Sequence, residues 1–154
     1  MKARAIILTL VVCFAGAAVC FADNPHMGTW KLNEAKSKIA PGSPKFNTVV
    51  YEAAGDNTKV TVDGTDGDGK PLHNEWSGKF DGKDYPVTGD PNSDIRSYKK
   101  VNDNTLEFTN KKGDKVVTSG RAVVSPDGKS RTVTLDGTDS KGKKFTSSAV
   151  YDKQ

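Results

Sequence analysis

The stretch Val60-Thr61-Val62-Asp63-Gly64-Thr65-Asp66 occurs twice, because Val133-Thr134-Leu135-Asp136-Gly137-Thr138-Asp139 follows 73 positions later with one conservative change. Each copy is followed by a Gly-Lys pair, Gly69-Lys70 or Gly142-Lys143, and then by a second alternating run. A strand, a glycine turn and a returning strand make a β-hairpin. Because one hairpin cannot bury its own apolar face, two related hairpins predict a single closed or sandwiched antiparallel sheet.

The run after the first copy shows the clearest alternation in the chain. One face of an extended backbone carries the large apolar side chains, and the other carries charged and hydroxyl groups. The residues on the first face are Leu72, Asn74, Trp76, Gly78 and Phe80. Further strands are predicted where glycine, asparagine or aspartate marks a tight turn. They lie near residues 94–101, 105–110, 115–125, 130–139 and 143–152.

The other segments are less regular. Gly28-Thr29-Trp30-Lys31-Leu32 predicts the first strand, and residues 46–53 predict the second. Between them, residues 33–45 are polar, contain two prolines, and predict a loop or one short helical turn. Tyr85-Pro86-Val87 is short, and its proline predicts an edge strand or a crossing.

These segments make about nine strands and no amphipathic helix. Short links favour up-and-down connectivity, and closing the sheet removes its exposed edges. We therefore predict an all-β fold, an antiparallel up-and-down meander closed into a barrel of about 8–10 strands with little or no helix.

The first 22 residues differ in kind from the rest. Lys2 and Arg4 precede an apolar run, and small residues precede a polar segment, which is typical of a secretory signal peptide. We predict cleavage after Ala22, an N-terminal tether over 23–27 and a single β-barrel domain over 28–154. The mature protein is then secreted or periplasmic, with no membrane span.

Composition agrees with an exported barrel. Without residues 1–22 the chain keeps 21 basic and 19 acidic residues, a net charge of +2, and no cysteine. No disulfide or thiol nucleophile is then available. Apolar residues make up about 26% of the remaining 132, and a barrel with one face of each strand in water needs few of them. The lysines lie near turns without interleaved aromatic residues, so we predict no nucleic-acid partner.

The two ends of the chain carry a family resemblance. Gly28-Thr29-Trp30 is similar to the Gly-x-Trp signature of lipocalins, and Gly28–Leu32 with Val150-Tyr151-Asp152-Lys153 is similar to the two ends of fatty-acid-binding proteins. The resemblance to these calycin families implies an up-and-down barrel, a small apolar or amphipathic ligand in its lumen, and a Trp30 that closes one end. Residues 33–45 are too short for the two helices that fatty-acid-binding proteins place after the first strand, so the identity of any ligand stays open.

Six residues are predicted to bind a ligand. Asn74 and Gly78 interrupt an apolar face, which leaves room for a pocket with a few polar groups. Arg121 shares a face with Val117 and Val123 and has the planar fork that suits a carboxylate or an aromatic stack. The predicted ligand-binding residues are Leu72, Asn74, Trp76, Phe80, Arg121 and Tyr151. The alternatives are ordinary core packing for the aromatic residues and a surface position for Arg121.

No residue is assigned to catalysis, a metal or a cofactor. The mature chain has no cysteine and no Gly-x-Ser-x-Gly motif. Asp63, Asp66 and Asp68 lack the spacing and the closing glutamate of a calcium-binding EF-hand loop. His73 and Glu75 share one face of a strand, but a metal site needs three or four ligands.

The sequence therefore predicts an exported, non-enzymatic barrel that binds a small apolar or amphipathic molecule in its lumen. One alternative is a structural or protein-binding β-module with a packed interior, and another is an enzyme built on such a barrel. A wide lumen favours the first function, a packed interior with an open polar edge the second, and a charged pair inside the lumen the third. Neither the ligand's identity nor the oligomeric state follows from the sequence.

Overall fold

The computed structural model describes residues 24–154, so the predicted signal peptide, residues 1–22, lies outside the described residues. Ten β-strands make up this part of the chain. Their bounds are β1 Gly28–Lys38, β2 Lys45–Ala54, β3 Asn57–Thr65, β4 Pro71–Gly78, β5 Asp81–Thr88, β6 Ile95–Asn102, β7 Thr105–Lys112, β8 Lys115–Val124, β9 Ser130–Thr138 and β10 Lys144–Lys153. Across residues 24–154 no helix is long and apolar enough to cross a membrane.

The strands form one closed antiparallel barrel. Each strand pairs with its neighbours along the chain, and β1 pairs with β10 to complete the ring. Across this seam Trp30 pairs with Lys153 and Leu32 with Tyr151. Every strand therefore has two partners, and the barrel has no free edge. The predicted all-β, up-and-down barrel is confirmed, with ten strands.

The repeated stretch occupies equivalent places in two hairpins. Val60 of β3 pairs with Trp76 of β4, and Val133 of β9 pairs with Ala149 of β10. Both partners lie 16 residues after their valine, so the two hairpins share one register. The prediction of two related hairpins is confirmed.

The two hairpins also share their turn chemistry. The Asp66 carboxylate accepts hydrogen bonds from the backbone N–H groups of Asp68 and Lys70. Asp139 accepts the matching bonds from the backbone N–H groups of the residues two and four positions later. An aspartate that satisfies two turn amides at once explains why the repeat ends on this residue.

The first strand is longer than its apolar pattern indicates. The loop or helical turn predicted over 33–45 is wrong for residues 33–38, which continue β1. The register shifts between Asn33 and Lys38, and the Ser37 hydroxyl there accepts a hydrogen bond from the backbone N–H of Val150 at 2.9 Å. A side chain thus replaces a missing backbone partner, so a polar segment remains extended without apolar alternation.

Pro86 lies inside an eight-residue strand, whereas the sequence predicted a short edge strand or crossing. On one side, β5 pairs with β6, including Pro86 with Ile95. On the other side, β5 pairs with β4 at only two positions, Glu75 with Thr88 and Trp76 with Val87. In β5 the ladder with β4 covers only Val87 and Thr88 and does not extend back to Pro86. The missing N–H group of Pro86 therefore costs no ladder bond.

The links divide the barrel into two ends. The end that carries the β1–β2, β3–β4, β5–β6, β7–β8 and β9–β10 links is here named the open end. The opposite end, named the closed end, receives the N-terminal segment 24–27, which holds a buried His26. The least exposed apolar side chains lie toward the closed end or along β4. They are Trp30, Val60, Trp76, Leu106, Ala122, Val124 and Tyr151.

Candidate functional site

A cavity of about 470 Å³ extends from the open end into the barrel. Apolar side chains from β2–β4 and β7–β10 form much of its wall. They include Phe46, Val49, Val62, Leu72, Phe108, Ala122, Leu135 and Phe145. A cavity of this size lies in the range that holds small organic molecules.

The rim of the cavity is mostly acidic. The charged side chains that line it at the open end are Asp66, Asp68, Asp90, Asp139 and Lys115. The Ser140 hydroxyl donates to the Asp68 carboxylate at 3.3 Å and joins the β9–β10 turn to the β3–β4 turn. Among residues 24–154 no three histidine or acidic side chains gather as metal ligands.

Arg96 on β6 is buried in the cavity wall, where two of its nitrogens donate hydrogen bonds and the third faces a carboxylate. Its Nε donates to the Asn110 side-chain oxygen at 2.5 Å, and its Nη1 donates to the Asn74 side-chain oxygen at 3.2 Å. The Asp90 carboxylate lies 3.7 Å from Nη2. The Trp76 indole donates to the Arg96 backbone carbonyl at 2.9 Å, so both the backbone and the side chain of Arg96 are held.

A cluster of aromatic rings packs beside Arg96. Trp76 stacks on Phe80 with ring centres 6.3 Å apart and meets Tyr98 edge-on at 4.8 Å. Tyr85 also meets Trp76 edge-on, and its ring lies against Gly78, where a Cβ atom would come within 2.6 Å of both rings. Gly78 therefore makes room for a neighbouring ring.

Arg131, near the start of β9, lies at the closed end of the cavity. It is 2% exposed, and its guanidinium carbon lies over the rings of Trp30, Tyr51 and Tyr151 at 4.9, 5.0 and 5.0 Å. Nε and Nη1 are buried and have no hydrogen-bond partner among residues 24–154. Three aromatic faces hold this cation in place, but no acceptor satisfies these two nitrogens.

His26 lies beyond Arg131 at the closed end. It is 1% exposed, and neither ring nitrogen has a hydrogen-bond partner in the described part of the chain. The Trp30 indole donates to the His26 backbone carbonyl at 2.8 Å. Burial, together with the positive charges of Arg131, Lys100 and Lys153, lowers the pKa of His26 to about 4. The ring is therefore neutral near neutral pH.

Two tyrosine hydroxyls in the cavity lining stay protonated. Burial raises the pKa of Tyr98 above its ordinary value, and Tyr51 raises it further while Arg96 opposes the shift. Burial also raises the pKa of Tyr151 to about 12, against the opposing effect of Arg131. Both hydroxyls can therefore donate hydrogen bonds inside the cavity.

The predicted ligand-binding residues occupy three kinds of place. Leu72 and Tyr151 line the cavity. Asn74 is fully buried, bonded to Arg96, and has a side-chain nitrogen without a partner among residues 24–154. Trp76 and Phe80 belong to the aromatic cluster and do not line the cavity, because the β4–β5 seam takes up their rings. A ligand contact at any of the six residues stays a prediction.

Arg121 lies on the outer face of the barrel. It is exposed and pairs with Glu107 across the β7–β8 ladder at 2.5 Å, which is the surface position that the sequence left open as its alternative. A register shift near Lys111 puts the even-numbered residues after Val117 inward, with Ala122 and Val124 buried. The bulge therefore reverses the face that simple alternation assigned to Arg121.

The sequence analysis missed the two buried arginines. A signal for both exists in the period of two, because Arg131 shares a face with Val133 and Leu135, and Arg96 shares one with Tyr98. A lone charged residue on an apolar face of a strand indicates one of two things. Either a bulge turns its side chain to the surface, or the side chain is buried with a structural or binding role.

No protein-family model and no curated protein matches the chain. In fold it is similar to designed β-barrels. EF1p2_mFAP2b bound to DFHBI aligns with a TM-score of 0.49 and 11% identity over 84% of this chain and 94% of that chain. The redesigned barrel mFAP1 bound to DFHBI aligns at 0.44 and 15% over 84% and 95%. A de novo fluorescence-activating barrel aligns at 0.41 and 15% over 86% and 97%.

Proposed function

We propose that this protein is an exported carrier, not an enzyme, that binds a small amphipathic molecule in the barrel lumen in the manner of lipocalins and fatty-acid-binding proteins. The cavity of about 470 Å³ carries the proposal. It has apolar walls and a few buried polar groups, which is the usual composition of a small-molecule site. Trp30 at the closed end agrees with the Gly-x-Trp resemblance.

Export is part of the proposal and rests on the signal-peptide pattern of residues 1–22. After the predicted cleavage site, the Asn24 side-chain oxygen accepts a hydrogen bond from the His26 N–H at 3.1 Å. Cleavage after Ala22 would therefore retain this contact. Intact-mass analysis of protein from its own host should give a chain that begins at Asp23, whereas retention of residues 1–22 would contradict export.

A neutral fluorescent probe tests the carrier function. N-phenyl-1-naphthylamine emits strongly in apolar surroundings and is small enough for the cavity, so titration into the mature protein should give saturable binding. Ala122 is 1% exposed and lines the cavity. Ala122→Phe should fill part of the lumen and weaken binding at least tenfold.

A matched control separates lumen binding from surface adsorption. Val123 is the next residue on β8, and it is 41% exposed on the outer face. Val123→Phe adds the same ring outside the lumen and should leave probe affinity unchanged. If the probe does not bind, or if both variants bind it equally, the protein is better described as a structural or protein-binding module.

A further inference from the structure

The closed end of the cavity holds a buried cation that lacks an anion. Arg131 is 2% exposed, lines the cavity, and makes no ion pair within residues 24–154. Its Nε and Nη1 are buried without a hydrogen-bond partner in the same part of the chain. An arginine does not lose its proton in a protein, so this charge cannot be removed by neutralisation.

Aromatic faces compensate for only part of this burial. The rings of Trp30, Tyr51 and Tyr151 contact the guanidinium, and such contacts attract a cation. They accept no conventional N–H hydrogen bond in the plane of the guanidinium, where Nε and Nη1 place their protons. The side chain is therefore fixed in position with donor capacity unused.

The charged groups differ between the two ends of the cavity. Arg131, Lys100 and Lys153 act on the neutral His26 at the closed end, where Lys100 also pairs with the exposed Asp103. The Lys153 ammonium lies 5.2 Å from the centre of the Trp30 ring. The carboxylates that line the cavity lie at the opposite, open end. The cavity is therefore polarised along its axis, with a cationic floor and an acidic rim.

We propose that Arg131 binds the head group of an organic monoanion, such as a carboxylate or sulfonate, whose apolar body fills the lumen toward the open end. The inference rests on the proposed carrier function and names its ligand class. A single negative group at this end of the cavity supplies the counter-charge that Arg131 lacks within residues 24–154, and the ring of Tyr151 lies against the same guanidinium. Polyanions such as nucleotides are disfavoured, because further charges would lie among Leu135, Phe108 and the acidic rim.

Two probes with one skeleton test the ligand class. 8-Anilinonaphthalene-1-sulfonate is N-phenyl-1-naphthylamine with one added sulfonate, so the ratio of their dissociation constants isolates the effect of the negative charge. In the wild type the sulfonate should bind more tightly than the neutral probe. Arg131→Met should weaken sulfonate binding roughly 10- to 100-fold, as expected for lost charge-assisted hydrogen bonds. Neutral-probe affinity should change less than about threefold.

Two further variants keep the test decisive. Arg121→Met removes an exposed arginine from the outer face and should leave both affinities unchanged. Arg131→Lys keeps the charge but loses the planar fork, and should weaken sulfonate binding several-fold even if Arg131→Met fails to fold.

The outcomes separate the two proposals. If the neutral probe binds but the affinity ratio is the same in wild type, Arg131→Met and Arg131→Lys, then Arg131 is a structural residue and only the monoanion inference fails. If neither probe binds in the lumen, the carrier function fails as well. Equal loss of sulfonate binding in Arg121→Met and Arg131→Met would place the sulfonate on the outer surface and overturn the inference.

Discussion

The two buried arginines of the lumen have opposite surroundings. Arg96, in the wall, is 4% exposed and meets two asparagine oxygens and a carboxylate. Arg131, at the floor, is 2% exposed and meets three aromatic faces but no acceptor for Nε or Nη1. Each arginine contacts a tryptophan. The Arg96 backbone carbonyl accepts a hydrogen bond from the Trp76 indole, and the Arg131 guanidinium lies over the Trp30 ring.

The contrast separates a structural cation from a cation with unused binding capacity. A buried arginine whose nitrogens all meet acceptors stabilises the strands that supply those acceptors. A buried arginine with unused donors contributes less to folding, because the desolvation of its charge is not compensated by hydrogen bonds. We infer that Arg96 holds β4, β6 and β7 together, whereas Arg131 binds the anionic head group of the ligand.

Replacing each arginine by methionine tests this contrast most strongly. Arg96→Met leaves the side-chain oxygens of Asn74 and Asn110 without their arginine donor and removes the cation beside Asp90, and should lower the free energy of unfolding by about 3–5 kcal/mol. Arg131→Met removes a charge with no anionic partner, so the lost cation–π attraction and the relieved desolvation should offset each other to within about 1 kcal/mol. Urea denaturation of the ligand-free proteins measures both changes.

The result would contradict the comparison if the two losses were equal or if Arg131→Met were the more damaging. Arg121→Met is the control for loss of an arginine from the surface. Its pair with Glu107 is exposed, so its loss should change stability by less than about 1 kcal/mol.

Acid should destabilise the closed end through His26. Its pKa is about 4 in the folded protein and 6.5 in the unfolded chain, so the unfolded state binds more protons between these values. Stability is therefore complete above pH 6.5 and falls as the pH drops toward 4, by about 3 kcal/mol in total. The nearby charges of Arg131, Lys100 and Lys153 act in the same direction.

Denaturation at a series of pH values between 7 and 4 checks the effect. His26→Asn should flatten the curve across this window, while the exposed His73 is the matched control. If His73→Asn flattened the curve and His26→Asn did not, the closed end would not be the acid-sensitive region.

Much of the fold could be predicted from the sequence, because its signals are local. The repeat at Val60 and Val133 specifies register as well as strands, since alternation and turn chemistry agree within each hairpin. The prediction was wrong for residues 33–38, where the Ser37 side chain replaces a backbone partner that periodicity does not represent.

The site could be predicted only in part. Leu72 and Tyr151 line the cavity, but the sequence gives no sign that the β4–β5 ladder stops before Pro86 and that Trp76 packs at this seam. Arg121 was predicted to bind a ligand because strict alternation puts it on one face with Val117, but a single bulge near Val117 reverses that alternation, and one sequence does not reveal a bulge. Whether Arg121 faces the lumen thus depends on a bulge a few residues earlier in its own strand.

The two tryptophans provide a smaller test of the contrast. Trp30→Phe and Trp76→Phe each lose an indole hydrogen bond and should each lower stability by about 1–2 kcal/mol. Only Trp30→Phe changes a ring that contacts Arg131, so it alone should also weaken sulfonate binding. Because the chain has two tryptophans, each variant reports the emission of the other. Equal effects of the two variants on sulfonate binding would contradict separate roles for the arginines.

The smallest expected effect concerns the Asp90 carboxylate, whose negative charge reduces the attraction of Arg96 for an anion in the lumen. This carboxylate lies 3.7 Å from Nη2 of Arg96 and accepts a hydrogen bond from the Ser93 hydroxyl at 2.6 Å. Asp90→Asn removes the negative charge and should strengthen sulfonate binding about two- to threefold, because Arg96 then attracts an anion in the lumen. Asp139→Asn removes an equal charge from the rim without touching Arg96, so it should give a smaller change. Fluorescence titration at low ionic strength resolves the two, and equal gains would show that the rim charge acts only at long range.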